Sequence, residues 1–165
     1  MMNLDLSVFN FTNGFAKKSG ILDFFAVFCA SYLGIFLVAG LAIFSLIYQK
    51  ADFFIYPLAA ALFARFFINE SVYFFYKRKR PSKILPIIPL IKNPNHPSFP
   101  SSHTAFFFAL SFTLFLFNPY LSLFFILASF LIAVARVFAG VHWPSDILGG
   151  ILSGYLSFLA VSLAV

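Results

Sequence analysis

Charge is what this chain has least of. Of its 165 residues only 10% are Asp, Glu, Lys or Arg, against about a quarter in an average soluble domain. It has a single cysteine, Cys29, within an apolar run, so no intramolecular disulfide can form and the thiol reads as buried and inert. There is no Gly-x-Ser-x-Gly, no P-loop and no cysteine pair, which leaves a serine hydrolase, a nucleotide site or an iron–sulfur centre without support. Neither an internal repeat nor an interdomain linker is visible. What the chain does have is apolar surface: 62% hydrophobic residues, with 27 phenylalanines. That balance excludes a soluble enzyme, a secreted disulfide scaffold and a disordered chain, and it predicts one integral-membrane domain over residues 1–165.

Eleven Lys and Arg against five Asp and Glu give a formal net charge of +6. A basic balance can mark a nucleic-acid binder, but no soluble basic face exists here to carry one, and no nucleic acid is expected. Anionic lipid headgroups or a phosphorylated substrate fit the charge better. Five segments, residues 22–48, 53–76, 101–117, 120–137 and 144–165, approach the ~20 apolar residues that a spanning helix needs. Continuous apolar runs without alternation predict helices, not barrel strands. The first run is too long for a cleavable signal and is expected to stay as an anchor. Residues 4–18 mix Leu6, Val8, Phe9, Phe11 and Phe15 with polar side chains, so residues 1–20 are expected to lie along the membrane surface as an interfacial segment. The predicted fold class is an all-α integral membrane protein: a bundle of five transmembrane helices with an N-terminal interfacial helix.

Residues 77–100 form the longest non-spanning stretch. They open with Lys77-Arg78-Lys79-Arg80-Pro81 and hold six prolines: Pro81, Pro86, Pro89, Pro94, Pro97 and Pro100. Proline at that density prevents a regular helix. Residues 84–91 are nevertheless apolar, which places the loop in the interface or re-entering the bilayer, and long loops of this kind are usually functional. Counting spans puts this loop, the turn at His142 and the N-terminal segment on one membrane face.

Three polar clusters meet on that face: Arg80-Pro81, then Pro100-Ser101-Ser102-His103, then Arg136, His142 and Asp146. Ionisable groups near a bilayer are costly and are functional candidates by default. Their chemistry suits a phosphate ester. Arg80 and Arg136 offer planar forks for phosphate oxygens. Pro100-Ser101-Ser102 reads as a helix start, whose free N–H groups and dipole make an anion site. Pro144 suits a first helical position, so Asp146 falls in the first turn, one turn beyond His142. A carboxylate there can accept from one imidazole nitrogen and leave the other as nucleophile, with His103 as general acid. The rival chemistry is zinc held by His142, Asp146 and His103; arginines beside a cation oppose it, and no metal or other cofactor is expected.

These residues resemble the three signature motifs of the type 2 phosphatidic acid phosphatase family. That pattern is a lysine, six residues, Arg-Pro; then Pro-Ser-Gly-His; then Ser-Arg, five residues, His, three residues, Asp. Arg80-Pro81, Pro100-Ser101, His103, Arg136, His142 and Asp146 match in order and separation. Three positions depart: Tyr73 stands at the lysine, Ser102 at the glycine and Ala135 at the serine. Lys77, one helical turn before Arg80, is the candidate to replace the lysine, with Lys79 the alternative. The resemblance implies a metal-independent phosphatase in which His142 forms a phosphohistidine, Asp146 orients it and His103 protonates the leaving group. Arg80, Arg136, Ser101, Ser102 and Lys77 would then bind phosphate. Leu4 to Ala16, Ile21-Leu22-Asp23 and Ser98 to Thr104 are similar to the bacitracin-resistance type of undecaprenyl-diphosphate phosphatase, whose substrate is recycled in cell-wall synthesis. Phosphatidylglycerophosphate or phosphatidic acid is the alternative substrate, and a lipid-phosphate transporter or scaffold without catalysis the alternative function.

Arg65 lies 15 residues before Arg80, roughly 22 Å along a helix, and does not easily reach the same phosphate; it reads as a buried ion pair with Glu70, the alternative being a proton or lipid-headgroup contact on the far face. His96 reads as a solvated loop residue, and Trp143 as an interfacial anchor or a wall against lipid. Gly149, Gly150 and Gly154 read as sites of close helix packing. Lysine and arginine on the motif-bearing face point it to the cytoplasm, whereas the resemblance implies a cell-membrane protein working on its extracytoplasmic face; the latter is the expectation.

Overall fold

The computed structural model describes residues 3–93 and 95–165, so Pro94 and the first two residues lie outside it. Every regular element is helical among the described residues. α1 (Asn3–Asn13) is followed by α2 (Gly20–Ser31) and α3 (Leu33–Ile47). α4 (Asp52–Phe63), a π-helical turn (Ala64–Ile68) and α5 (Asn69–Phe75) run on as one 24-residue rod, Asp52–Phe75. α6 (Ser102–Leu114), α7 (Pro119–Phe138) and α8 (Pro144–Ser162) complete the bundle.

Three helices are long and apolar enough to cross a membrane, or four if the bent pair α2–α3 counts as one. The expected first span is therefore broken: α2 and α3 meet at 48° around Tyr32. The expected third span, α6, has 13 residues, or ~20 Å, short of a ~30 Å hydrocarbon core. It is instead the hub of the bundle. Thr104, Ala105, Phe107, Phe108, Ala109, Leu110, Ser111, Thr113 and Leu114 are all buried on it, and α4, α7 and α8 pack around it. α8 approaches closely through glycine. A Cβ on Gly150 would stand 2.7 Å from the Thr104 Cβ, and one on Gly154 2.8 Å from the backbone nitrogen of Ala109. Hydroxyls add polar links between helices: Ser157 donates to the Ala60 carbonyl at 2.5 Å and Ser122 to that of Ser111 at 2.8 Å. Leu123, Phe124, Leu127, Leu131 and Val134 of α7 face outward, as a lipid-facing row would.

The helix expected at the interface, α1, is shorter than expected and ends at Asn13. Lys17 then takes φ +65°, its N–H donating to the Asp23 carboxylate at 3.0 Å. Asn13 donates to the Phe138 carbonyl at 2.7 Å, which ties α1 to the end of α7. Phe9, almost fully buried, packs against Trp143 with ring centroids 5.0 Å apart. The proline-rich loop forms no helix beyond one short turn, Pro81–Lys83, among the described residues. It is sewn down at both ends: the Ser98 N–H donates to the Arg78 carbonyl at 2.8 Å and the Leu90 N–H to that of Ala139 at 3.0 Å.

Candidate active site

Two helix ends set the third motif. α7 closes in a Schellman turn: the Val141 N–H donates to the Arg136 carbonyl at 3.2 Å and the Gly140 N–H to that of Val137 at 3.0 Å. Gly140 has φ +80°, a left-handed conformation that favours glycine. α8 then starts with Pro144 at its first position and Asp146 at its third, whose Oδ2 accepts from the Trp143 N–H at 2.8 Å. The five residues from Arg136 to His142 and the three to Asp146 are thus the length of one helix stop and one helix start.

His142 is buried between them. Its Nδ1 lies 3.1 Å from the Ser98 carbonyl and 3.3 Å from Asp146 Oδ2. Two acceptors there require Nδ1 to carry the proton, so Nε2 holds the lone pair in the neutral ring. Arg80 Nη1 donates towards Nε2 at 3.1 Å and to the Val141 carbonyl at 2.8 Å. Burial, reinforced by the charges of Arg136 and Arg80, holds the imidazole well below its ordinary pKa. The remaining Arg80 donors reach the carbonyls of His96 and Pro97, both at 3.2 Å. Arg136 is almost fully buried; Nη1 donates to the Ala30 carbonyl at 3.1 Å, and Nε has no partner among the described residues.

Arg80, His142 and Asp146 are therefore in direct contact or one bond removed. The other candidates are placed differently. Ser101 caps α6, its Oγ accepting from the Thr104 N–H at 3.5 Å and hydroxyl at 3.0 Å. Ser102 Oγ is 2.7 Å from the Tyr73 hydroxyl, which also donates to the Pro100 carbonyl at 2.6 Å. Ser101 Oγ only accepts in these bonds and keeps its own O–H to donate, whereas its N–H is spent on the Asp146 carbonyl at 3.0 Å. Lys77 and Lys79 are exposed and line a cleft of about 380 Å³ with Arg80 and His96. His103 lines a separate cavity, of about 440 Å³, with Arg65. No three His, Cys, Asp or Glu side chains gather as a metal would require, among the described residues.

Several readings need correction. Arg65 makes no ion pair with Glu70 among the described residues, and Glu70 is exposed. His96 is an exposed loop residue as expected, and it is also engaged: its Nδ1 lies 3.2 Å from Arg80 Nη2 and its ring 5.2 Å from that of Tyr73. Trp143 is not an exposed interfacial anchor: it is fully buried, donates to the Lys79 carbonyl at 3.0 Å and lines a pocket of about 610 Å³ with Leu4, Val8 and Phe99. Ala135 packs with Cys29, Ala30 and Ile91.

Sequence reasoning missed a second layer. Arg78 donates to Asp146 Oδ1 at 2.7 Å and to Asp5 Oδ2 at 2.5 Å. Asp5 accepts from the Ser145 N–H at 3.0 Å and its hydroxyl at 2.8 Å. Burial raises the Asp5 carboxyl, but the Ser145 and Arg78 hydrogen bonds outweigh it and leave it below its ordinary value. Ser98 donates to Asp146 Oδ2. The signal was in Lys77-Arg78-Lys79-Arg80: along this irregular stretch the lysines are exposed while Arg78 and Arg80 turn inward, the period of an extended chain.

The PAP2 superfamily model matches residues 53–165. The chain is 30% identical over 161 residues to bacitracin transport permease protein BcrC of Bacillus licheniformis, covering 96% of this chain and 79% of that protein. It is 31% identical over 167 residues to putative undecaprenyl-diphosphatase YbjG of Escherichia coli (strain K12), covering 98% and 82%. The crystal structure of Aquifex aeolicus LpxE superposes with a TM-score of 0.75 at 27% identity, covering 98% of this chain and 96% of that one. The match over residues 53–165, the helical bundle and the relatives agree: this chain is a multi-pass membrane protein and belongs to the PAP2 superfamily.

Proposed function

We propose that the protein is a lipid phosphatase that removes the terminal phosphate of undecaprenyl diphosphate, working at the extracytoplasmic face of the cell membrane. One observation carries the reading: His142 keeps its proton on Nδ1, towards Ser98 and Asp146, and turns the Nε2 lone pair to Arg80. An incoming phosphate takes the Arg80 N–H groups and meets that lone pair. Nε2 attacks phosphorus, the bond to the bridging oxygen breaks, and His103 gives that oxygen a proton. Water, deprotonated by His103, then cleaves phosphohistidine. Arg80, Arg136 and the amides opening α6 hold the phosphoryl oxygens. This chemistry uses no metal, in keeping with a site lined by arginine. The names of the relatives support the polyprenyl diphosphate as substrate.

The test is phosphate release in detergent, with a chelator present, from undecaprenyl diphosphate, phosphatidylglycerophosphate and phosphatidic acid side by side. Release is expected to be fastest from the first and to be lost in His142→Ala. Equal or faster release from either of the others reassigns the substrate; arrest by the chelator, reversed by zinc, overturns the chemistry. Binding of all three without release from any supports a transporter or scaffold instead.

A further inference from the structure

Arg65 is a half-buried cation on an apolar rod, and no carboxylate pairs with it among the described residues. It sits in the π-helical turn Ala64–Ile68, a distortion that recurs at functional sites. Its guanidinium lies over the Phe66 ring at 5.3 Å, and it takes part in none of the ion pairs of the described residues. A cation on a membrane-spanning helix without an ionic partner is costly and is a functional candidate by default.

The cavity supplies the place. About 440 Å³ in volume, it is lined by Arg65 and His103 amid apolar side chains such as Val38, Phe107 and Ile132, within the ~300–1,000 Å³ range of ligand pockets. Ala30, whose carbonyl accepts from Arg136, lines it too. Arg136 thus lies behind the wall residue Ala30, its buried Nε without a partner among the described residues. His103 is common to this cavity and to the proposed reaction, where it protonates the departing oxygen. Resting on that reading, the far side of His103 receives whatever leaves. A monoester leaves as a neutral alcohol and has no use for a cation there. A diphosphate leaves as a lipid monophosphate, an anion with an apolar chain attached.

We propose that Arg65 binds the lipid-bound phosphoryl group of a diphosphate substrate, and that this cavity, with its apolar walls for the start of the chain, makes the enzyme prefer diphosphates over monophosphates. The bond broken is the one from the terminal phosphorus to the bridging oxygen. Arg65 holds the two non-bridging oxygens of the phosphoryl group that departs with that oxygen.

The test uses the purified full chain in detergent, with farnesyl diphosphate and farnesyl monophosphate, which share one chain and differ by one phosphate. The wild type is expected to favour the diphosphate at least tenfold in kcat/KM. Arg65→Gln is expected to lower that preference tenfold or more, and Arg65→Lys, which keeps the charge without the fork, at least threefold. If Arg65→Gln fails to fold, Arg65→Lys alone decides. An unchanged ratio overturns the proposal while leaving the phosphatase reading intact. A wild type that releases phosphate from neither compound overturns both.

Discussion

Arg78 joins two carboxylates that lie 141 positions apart in the chain, donating through Nη1 to Asp146 at 2.7 Å and through Nη2 to Asp5 at 2.5 Å. Helix α1 is thereby wired to the carboxylate that lies 3.3 Å from His142 Nδ1. Arg78→Gln leaves Asp146 buried and short of a charged partner, and the imidazole loses its fixed direction. The expected result is a fall in kcat of about tenfold to a hundredfold with KM nearly constant. Asp5→Asn should act in the same direction and more weakly. Because the Asp5 carboxyl titrates below its ordinary value, the Asp5 arm of this clamp is charged at neutral pH. That arm is lost as pH falls through the depressed value. Steady-state kinetics on the two variants check the split; a change confined to KM contradicts it.

The pH profile follows from His142. Burial and the Arg136 and Arg80 charges favour its neutral form, so the ring is ready to attack well into mild acid. The acid limb of kcat/KM is expected below the ordinary imidazole value of about 6.5. Arg80→Gln removes a positive charge 3.1 Å from Nε2 and should move that limb upward, whatever it does to the maximal rate. A limb that stays in place separates Arg80 from the titration.

Two departures from the family pattern touch each other. Tyr73, at the lysine position, and Ser102, at the glycine position, meet hydroxyl to hydroxyl at 2.7 Å. They behave as one unit: Tyr73→Phe and Ser102→Ala are each expected to cost about 1 kcal/mol, and the double variant less than the sum. Unfolding in mixed micelles for the four chains measures the coupling; strict additivity contradicts it.

Close packing of α8 on α6 gives a structural prediction. Gly154→Ala brings a Cβ within 2.8 Å of the Ala109 backbone nitrogen, which cannot swing aside. A loss of about 1–3 kcal/mol is expected, read as a lower thermal midpoint in detergent. Gly40→Ala, where nothing lies within 4 Å of the new Cβ, serves as the control and should not lower it.

Composition and apolar runs were enough to read an all-helical membrane chain, and the third motif was legible because a helix stop and a helix start have fixed lengths. The broken first span was not legible, since no proline marks the bend at Tyr32. Nor was the role of α6, whose apolar residues look the same whether they meet lipid or three other helices. At the site, Arg78 was hidden in a run of four basic residues that composition treats alike. Asp5 was hidden by distance along the chain. Arg65 was misread by placing it on an ideal helix with Glu70, when a π-helical turn intervenes and Glu70 points away.

The central claim is that His142 Nε2 takes the phosphoryl group, and acid-free quenching of a single turnover with terminally labelled farnesyl diphosphate tests it most directly. The account predicts label bound to the protein, stable to alkali and released by acid, on the peptide that carries His142, and none in His142→Ala. Release of phosphate by the wild type with no labelled protein at any time, or label that persists in His142→Ala, would contradict it.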